Sequence, residues 1–404
     1  MGMPFERNLQ EEAQEYWKNA LGDHLFVLCQ TKMAVAITKR TLAGYSGNSV
    51  NAIYLSKLLE RMDDQKRLAN KITNSATWGK EGDRMKFNAI VGNPPYQQAD
   101  GGSKASAVPI YQQFVNQAKT IEPDYISMIT PAKWFSGGRG LDAFRNEMMN
   151  DSRISKLIEY ANSLDLFSNV DIAGGLCYFL WEKEHNGKCE LTNVTAEGRI
   201  TVSRALNEYS VIIKNNAAIP ILEKVRAFKE ETIETLVSAQ KPFGLRTYEK
   251  PDDSGDLFLR WSGGTGPIKS SRVTAGIEMV DKWKVMISYL TAEHAGQPDK
   301  NGQYRVLSTN EILPPKHLCT ETYLIAGAFD TEVEANNYLK YLRTRFVRFL
   351  VLQVATTQHI SQGSFCFVPI QDFTHEWDDG TLYDKYGLTE TEIKTIESII
   401  KPME

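Results

Sequence analysis

The chain has 404 residues, 42% hydrophobic and 24% charged, a balance that suits globular domains and is long enough for two of them. Its net charge of −4 excludes a uniformly basic nucleic-acid-coating protein, so a nucleic-acid partner would have to be met by a local basic face. The sequence shows neither a run of about eighteen apolar residues nor a basic-then-apolar leader, and the expectation is a cytoplasmic protein without a membrane partner.

In chain order, residues 8–20 are rich in helix formers, with Asn8 as the expected cap. A strand is expected over 24–28, and a helix over 32–42 with Met33, Val35, Ala36 and Ile37 as its apolar residues and Gly44 as its stop. A short strand over 51–55, a polar helix to about Ile72 and a strand entering at Phe87 follow. Residues 97–108 form a polar, Gly- and Ser-rich loop suited to ordering on a ligand. Beyond it a helix is expected over 110–120, a strand over 125–129, a helix over 141–150, a strand over 154–160 and a buried strand over 175–181. Strands alternating with helices describe an α/β fold with a mostly parallel sheet, whose ligands bind beyond the carboxyl ends of the strands.

After Cys189 the composition shifts to short strands and loops, with Gly and Pro clusters at 241–244 and 261–267. A helix is expected over 332–350, carrying Lys340, Arg343, Arg345 and Arg348. Loops carry Lys241, Arg246, Lys250, Arg260, Lys269 and Arg272, interleaved with Phe243, Tyr248 and Trp261. Such a set suits contacts to DNA phosphates and base edges; with Glu249, Asp252 and Asp253 among it, a solvated charged face is the other reading. A last helix over 382–400, with a capping box in Thr389 and Glu392, reads as acidic and structural. Five scattered cysteines, Cys29, Cys177, Cys189, Cys319 and Cys366, contain no Cys-x-x-Cys pair and read as core residues, with neither disulfide nor metal expected.

The chemistry concentrates in Phe87-Asn88-Ala89-Ile90-Val91-Gly92-Asn93-Pro94-Pro95-Tyr96. Two prolines end the strand, fix φ and leave carbonyls with no competing N–H. An exocyclic amine on an aromatic ring, or an amide nitrogen, is a poor nucleophile because its lone pair is delocalised. Hydrogen bonds from its two N–H groups to the Asn93 side-chain oxygen and the Pro94 carbonyl would draw it toward a tetrahedral, reactive form. Tyr96 would stack on the planar group and hold it for in-line attack on a methyl sulfonium. A bare turn asks for neither the asparagine nor the aromatic.

Lys86 to Gln97, read whole, resembles the catalytic motif of the adenine-N6 DNA methyltransferases of type II restriction–modification systems, especially those with restriction and methylation in one chain. The likeness continues through Ile129-Thr130-Pro131-Ala132-Lys133-Trp134-Phe135 and Val170-Asp171-Ile172-Ala173-Gly174-Gly175-Leu176-Cys177-Tyr178-Phe179-Leu180-Trp181. It returns at Thr357-Gln358-His359-Ile360-Ser361 and at Phe365-Cys366-Phe367-Val368-Pro369. The resemblance implies a Rossmann-like doubly wound methyltransferase sheet over 1–190, lacking its first strand, and a mixed α+β target-recognition domain over 191–404. It implies methyl transfer from S-adenosylmethionine to N6 of an adenine flipped out of duplex DNA, with Asn93, Pro94, Pro95 and Tyr96 as catalytic residues. Lys133 and Trp134 would lie near the active face or pack the sheet end. Tyr178 or Phe179 would touch the flipped base or fill the sheet core. Lys241, Arg246, Arg260, Lys269, Arg272, Arg343 and Arg345 would meet DNA.

Such enzymes hold the cofactor with a glycine-rich strand–turn–helix and two acids. Here only seven residues precede the helix at Asn8, and Gln30 and Ser56 stand where the acids are expected. An acid on the ribose hydroxyls contributes roughly 1.5–3 kcal/mol, so its loss weakens binding by one to two orders of magnitude. The expectation is an N-terminally truncated form, with a second polypeptide supplying the missing cofactor or nuclease part. A permuted order with the glycine cluster near Gly263, Gly264 and Gly266 is the alternative. Two other functions remain open: a cofactor-deficient DNA-binding or subunit-like module, and a methyltransferase of protein glutamine or ribosomal RNA guanine, against which the long C-terminal half argues. Restriction activity is not expected, because the nearest acidic element, Glu122-Pro123-Asp124, falls inside the sheet.

Overall fold

The structure, a computed structural model, describes residues 4–98, 108–135, 140–167, 172, 174–195, 198–293, 298–355 and 359–403. By compactness the chain divides into Met1–Met128 with Trp181–Glu184, and Ile129–Leu180 with His185–Glu404. The first is called the amino unit and the second the carboxyl unit.

In the amino unit, helix α1 (Pro4–Asn19) begins four residues before the expected start. Proline suits a first helical position, because its φ is preset and its missing N–H is not needed there; Asn8 therefore lies inside the helix rather than capping it. Strands β1 (Phe26–Cys29) and β2 (Asn51–Tyr54) pair in parallel, with Phe26 opposite Asn51. A parallel pair needs a crossover, and α2 (Lys32–Ala43) supplies it. The Thr31 hydroxyl caps α2 by accepting the Ala34 N–H at 3.0 Å, and Gly44, at φ +57°, ends it. Helices α3 (Leu58–Arg61) and α4 (Gln65–Thr73) bury Leu58, Leu68 and Ile72 beside Leu55, Met62 and Trp78, with Phe26 and Phe87 packed against them.

Next come β3 (Ala89–Gly92), the short antiparallel pair β4 (Gln97–Gln98) and β5 (Val108–Pro109), helix α5 (Tyr111–Ile121) and β6 (Tyr125–Pro131). The first four residues of β6 run parallel to β3, with Ala89 opposite Tyr125 and Gly92 opposite Met128, and α5 is the crossover.

The carboxyl unit takes the end of β6, helix α6 (Asp142–Asn150), and strands β7 (Ile154–Tyr160), β8 (Leu176–Glu182, its first five residues), β9 (Cys189–Thr195) and β10 (Gly198–Arg204). Their order is β10-β9-β7-β8-β6, with β7 and β9 parallel and β9 and β10 antiparallel, so this sheet is mixed. After α7 (Ile219–Ala227) come β11 (Leu257–Trp261), β12 (Gly264–Ile268), β13 (Trp283–Ser288), β14 (Asn310–Leu313), β15 (His317–Cys319) and β16 (Tyr323–Phe329), which form two three-stranded sheets, β12-β11-β15 and β14-β13-β16.

The helix expected over 332–350 is two, α8 (Glu332–Arg343) and α9 (Arg345–Leu352). Thr344, extended at ψ 149°, breaks the run and caps α9 by accepting the Val347 N–H at 3.2 Å. The helix expected over 382–400 also divides, into α10 (Asp379–Lys385) and α11 (Glu390–Ile399), with Gly387 at φ +59° between them. The Thr389–Glu392 capping box is present. Tyr338, Tyr341, Phe346 and Phe349 of α8 and α9 are fully buried with Val285 and Ile287 of β13. No helix among the described residues is long and apolar enough to cross a membrane.

Candidate active site

The loop that follows β3 is held at both ends. Ahead of the strand, the Asn88 carbonyl accepts the Tyr125 N–H at 2.8 Å, and the Asn88 amide donates to Asp124 Oδ2 at 2.7 Å. Lys86 pairs with Asp124 at 2.9 Å. The hydrogen bonds from Lys86 and Asn88 hold the Asp124 carboxyl below its usual range. Behind the loop, the Tyr96 carbonyl accepts the Ile110 N–H at 3.2 Å, and Gln97 stands opposite Pro109. Between these anchors Asn93 is exposed, Pro94 buried, Pro95 exposed and Tyr96 half-buried. A buried, φ-locked proline fixes the backbone, while the Asn93 amide beside it is open to an incoming group. The loop thus offers the acceptor and the aromatic that activation and stacking of a planar amine require.

Gln30 and Ser56 lie in the same unit, just past the carboxyl ends of β1 and β2. Gln30 is exposed; Ser56 is half-buried and its carbonyl accepts the Arg61 Nε–H at 2.8 Å. Both are neutral, so neither offers a ribose hydroxyl the charge-assisted bond of a carboxylate.

Lys133, Trp134, Tyr178 and Phe179 lie in the carboxyl unit. Trp134, on the 3-10 turn Ala132–Phe135, is fully buried and meets Phe135 and Phe144 edge to face at 4.7 and 5.7 Å. Phe179 is buried as well, and of the aromatic pair on β8 only Tyr178 keeps open surface, its ring 6.1 Å from that of Tyr160. Cys177 accompanies Thr130 at 3.4 Å, and burial pushes its thiol up to about 12. Of the run 170–181, Val170, Asp171 and Ala173 lie outside the described residues, as do Thr357 and Gln358 and most of the loop 97–108.

One polar set escaped sequence reasoning. Glu159 on β7 is 2% exposed and accepts the Asn193 amide at 3.2 Å, while Lys214 donates to the Gly174 carbonyl at 2.7 Å. Burial raises the Glu159 carboxyl despite the nearby Lys214 charge, and burial lowers the Lys214 ammonium. The available signal was a glutamate inside the strand run Ile154-Ser-Lys-Leu-Ile-Glu-Tyr.

Each of the seven cations singled out for DNA has a partner within the carboxyl unit. Lys241 and Arg246 face Glu321 at 3.7 and 3.9 Å, Arg260 meets Glu311 at 2.7 Å and Lys269 meets Asp252 at 3.2 Å. Arg272 pairs with Glu249, Arg343 donates to Asn310 Oδ1 at 2.7 Å and Arg345 pairs with Glu397 at 2.8 Å. Arg348 is not a surface cation: it is fully buried, donating to the carbonyls of Arg343, Thr344, Arg305 and Lys401.

Residues 23–167 match the family model described as Eco57I restriction-modification methylase. The strand-end Asn-Pro-Pro-Tyr loop lies within the matched residues, and this part of the chain is similar to methylases of the restriction–modification type. More particularly, the chain is 34% identical over 145 residues to an uncharacterized adenine-specific methylase of Mycoplasma pneumoniae, covering 35% of this chain and 34% of the relative. It thus spans about a third of that relative's length. Among solved structures it is similar to the type IIG restriction endonuclease BpuSI, at 11% identity and a TM-score of 0.39 over 90% of this chain and 55% of that one. It is also similar to the type IIL restriction-modification enzyme MmeI, at 9% identity and a TM-score of 0.45 over 82% and 51%.

Proposed function

We propose that the chain is the methyltransferase and target-reading part of a restriction–modification protein, transferring a methyl group from S-adenosylmethionine to N6 of an adenine flipped out of duplex DNA. The observation that carries this reading is the loop 93–96, an exposed amide next to a buried, φ-locked proline and a half-buried tyrosine at the end of a parallel strand. In this reading Asn93 Oδ1 and the Pro94 carbonyl accept the two N6 hydrogens, Pro95 holds the turn and Tyr96 stacks on the base. S-adenosylmethionine supplies an electrophilic methyl; the residues placed to meet it, Gln30 and Ser56, are neutral and give it a weak hold. In this reading residues 1–190 form the catalytic part, on a Rossmann-like sheet, and 191–404 the target-recognition part, with Lys241, Arg246, Arg260, Lys269, Arg272, Arg343 and Arg345 exchanging intramolecular acids and amides for phosphates on binding.

The neutral residues at 30 and 56 favour, as a second reading, a subunit-like DNA-binding module that depends on another polypeptide for its cofactor. Protein glutamine or ribosomal RNA guanine as acceptor is a third. The test is transfer of tritiated methyl to unmethylated genomic DNA, to ribosomal RNA and to protein, with Asn93→Ala as control. Label on DNA adenine that disappears in the variant supports the proposal; label on RNA or protein alone overturns it.

A further inference from the structure

A turn of two consecutive glycines stands at the entrance to β8. Gly174 and Gly175 lie at φ +90° and +77°, in the left-handed region that other residues rarely adopt. A Cβ on Gly175 would run into the Tyr160 carbonyl at the end of β7, and one on Gly174 would lie 3.4 Å from Cγ of Lys133. The turn therefore closes over the Lys133 side chain, and the chain continues from it into β8 and Tyr178. Glycines bring no side chain to hold such a turn, and their backbone has the most freedom to lose.

The hold comes from elsewhere in the carboxyl unit. The Gly175 N–H donates to the Ile172 carbonyl and the Gly175 carbonyl accepts the Ala132 N–H, both at 3.0 Å, while the Ile172 N–H donates to Ser163 Oγ at 2.8 Å. These bonds tie the turn to the segments that follow β6 and β7. The Gly174 carbonyl is tied by a residue 40 positions later, Lys214, whose ammonium donates to it at 2.7 Å. Because the donor carries charge, this bond is of the stronger kind. Lys214 itself stands on a fixed stretch after β10. Ile212 and Ile213 are buried; the Ile212 N–H donates to the Phe135 carbonyl at 3.1 Å, and the buried Arg204 guanidinium donates to the Ile213 carbonyl. Two residues on, the Asn216 N–H donates to Asn193 Oδ1 at 2.8 Å. A backbone anchored on both sides delivers the ammonium to one place.

We propose that Lys214 is a positioning residue for methyl transfer: its ammonium latches the Gly174–Gly175 turn over Lys133 and so sets Tyr178, at the start of β8, for the incoming base. The part in methyl transfer rests on the reading given above, in which Lys133 and Tyr178 lie on the substrate side; the latch does not. Lys214 acts through the turn and does not meet the reacting atoms.

The test uses the full chain with Lys214→Met, which keeps the stem and removes the donor, and Lys214→Arg, which restores a donor. In Lys214→Met the amides of Ala132 and Gly175 should exchange with deuterium at least about tenfold faster, with the rest of the carboxyl unit unchanged. The KM for duplex DNA in transfer of tritiated methyl should rise at least about tenfold while kcat moves less than about threefold, because the turn holds the base and does not react. Lys214→Arg should recover both. Gly174→Ala, strained at φ +90°, opens the turn with Lys214 in place and carries the test alone if Lys214→Met does not fold. It should raise KM alike, and the double variant should raise it no further. Unchanged exchange in Lys214→Met, faster exchange spread over the whole carboxyl unit, or faster exchange without a change in KM would each overturn the proposal. A native chain that transfers no methyl group removes the methyltransferase reading and the positioning role with it; an active native chain whose KM Lys214→Met matches defeats the proposal alone.

Discussion

Strands β3 and β13 carry the same kind of sequence and have opposite fates. Lys284-Val285-Met286-Ile287 lies between β14 and β16 and is fully buried; among the described residues Ala89-Ile90-Val91 has β6 on one side only, and Val91 is 74% exposed. Composition reports the environment a strand is suited to, and neighbours on both edges decide whether it gets it. The carboxyl unit is complete around β13. The amino unit carries the loop 93–96 on a strand that, among the described residues, is paired on one edge, and Asn93 is exposed.

The largest effect expected from this contrast is on stability. Ile287→Ala should cost about 2–5 kcal/mol in urea unfolding, as for other fully buried aliphatic truncations, whereas Val91→Ala should stay within about 0.5 kcal/mol. Equal losses at the two positions would break the comparison. In the site itself, Asn93→Ala should lower methyl transfer at least about 100-fold while leaving the unfolding midpoint in place, because the side chain is exposed; a parallel loss of stability would make Asn93 a structural residue. Smaller still, Lys269→Ala with Arg272→Ala should lower the salt slope of DNA binding by roughly 1.8, about 0.9 for each phosphate contact removed. An unchanged slope would confine both cations to their pairs with Asp252 and Glu249.

The smallest effect concerns Glu159. Burial raises its carboxyl in the folded chain, so the folded state holds its proton to higher pH than the unfolded state does. The stability of the native protein is therefore full below the ordinary glutamate range and is lost as the pH rises through and above it. Glu159→Gln, which still offers Asn193 an acceptor, should be more stable than the native protein at pH 8, with the gain shrinking toward pH 4. A gain independent of pH in urea titrations would contradict this.

Much of the fold was legible because it rests on local rules. The Thr31 cap, the Gly44 stop and the Thr389–Glu392 box are each written in one or two residues, and the strands at 51, 125 and 154 follow their apolar runs. The loop 93–96 was legible for the same reason, since the consecutive Pro94 and Pro95 end the strand and leave the backbone little choice. The breaks at Thr344 and Gly387 were missed because apolar periodicity continues across both, and a single capping threonine or left-handed glycine outweighs it. Arg348 reads like its helix neighbours Arg343 and Arg345, yet only tertiary packing reveals the cage of carbonyls that buries it. The Glu159, Asn193 and Lys214 set joins residues far apart in sequence. Nor does any sequence rule show that β3 ends its sheet among the described residues.

The most direct test of the central claim is calorimetric titration of the full chain with S-adenosylmethionine, in the presence of an adenine-containing duplex. The account predicts saturable but weak binding, with a Kd on the order of 100 μM because Gln30 and Ser56 replace carboxylates, and an unchanged Kd in Asn93→Ala. No heat of binding up to several millimolar donor would contradict it and leave the DNA-binding module as the better description.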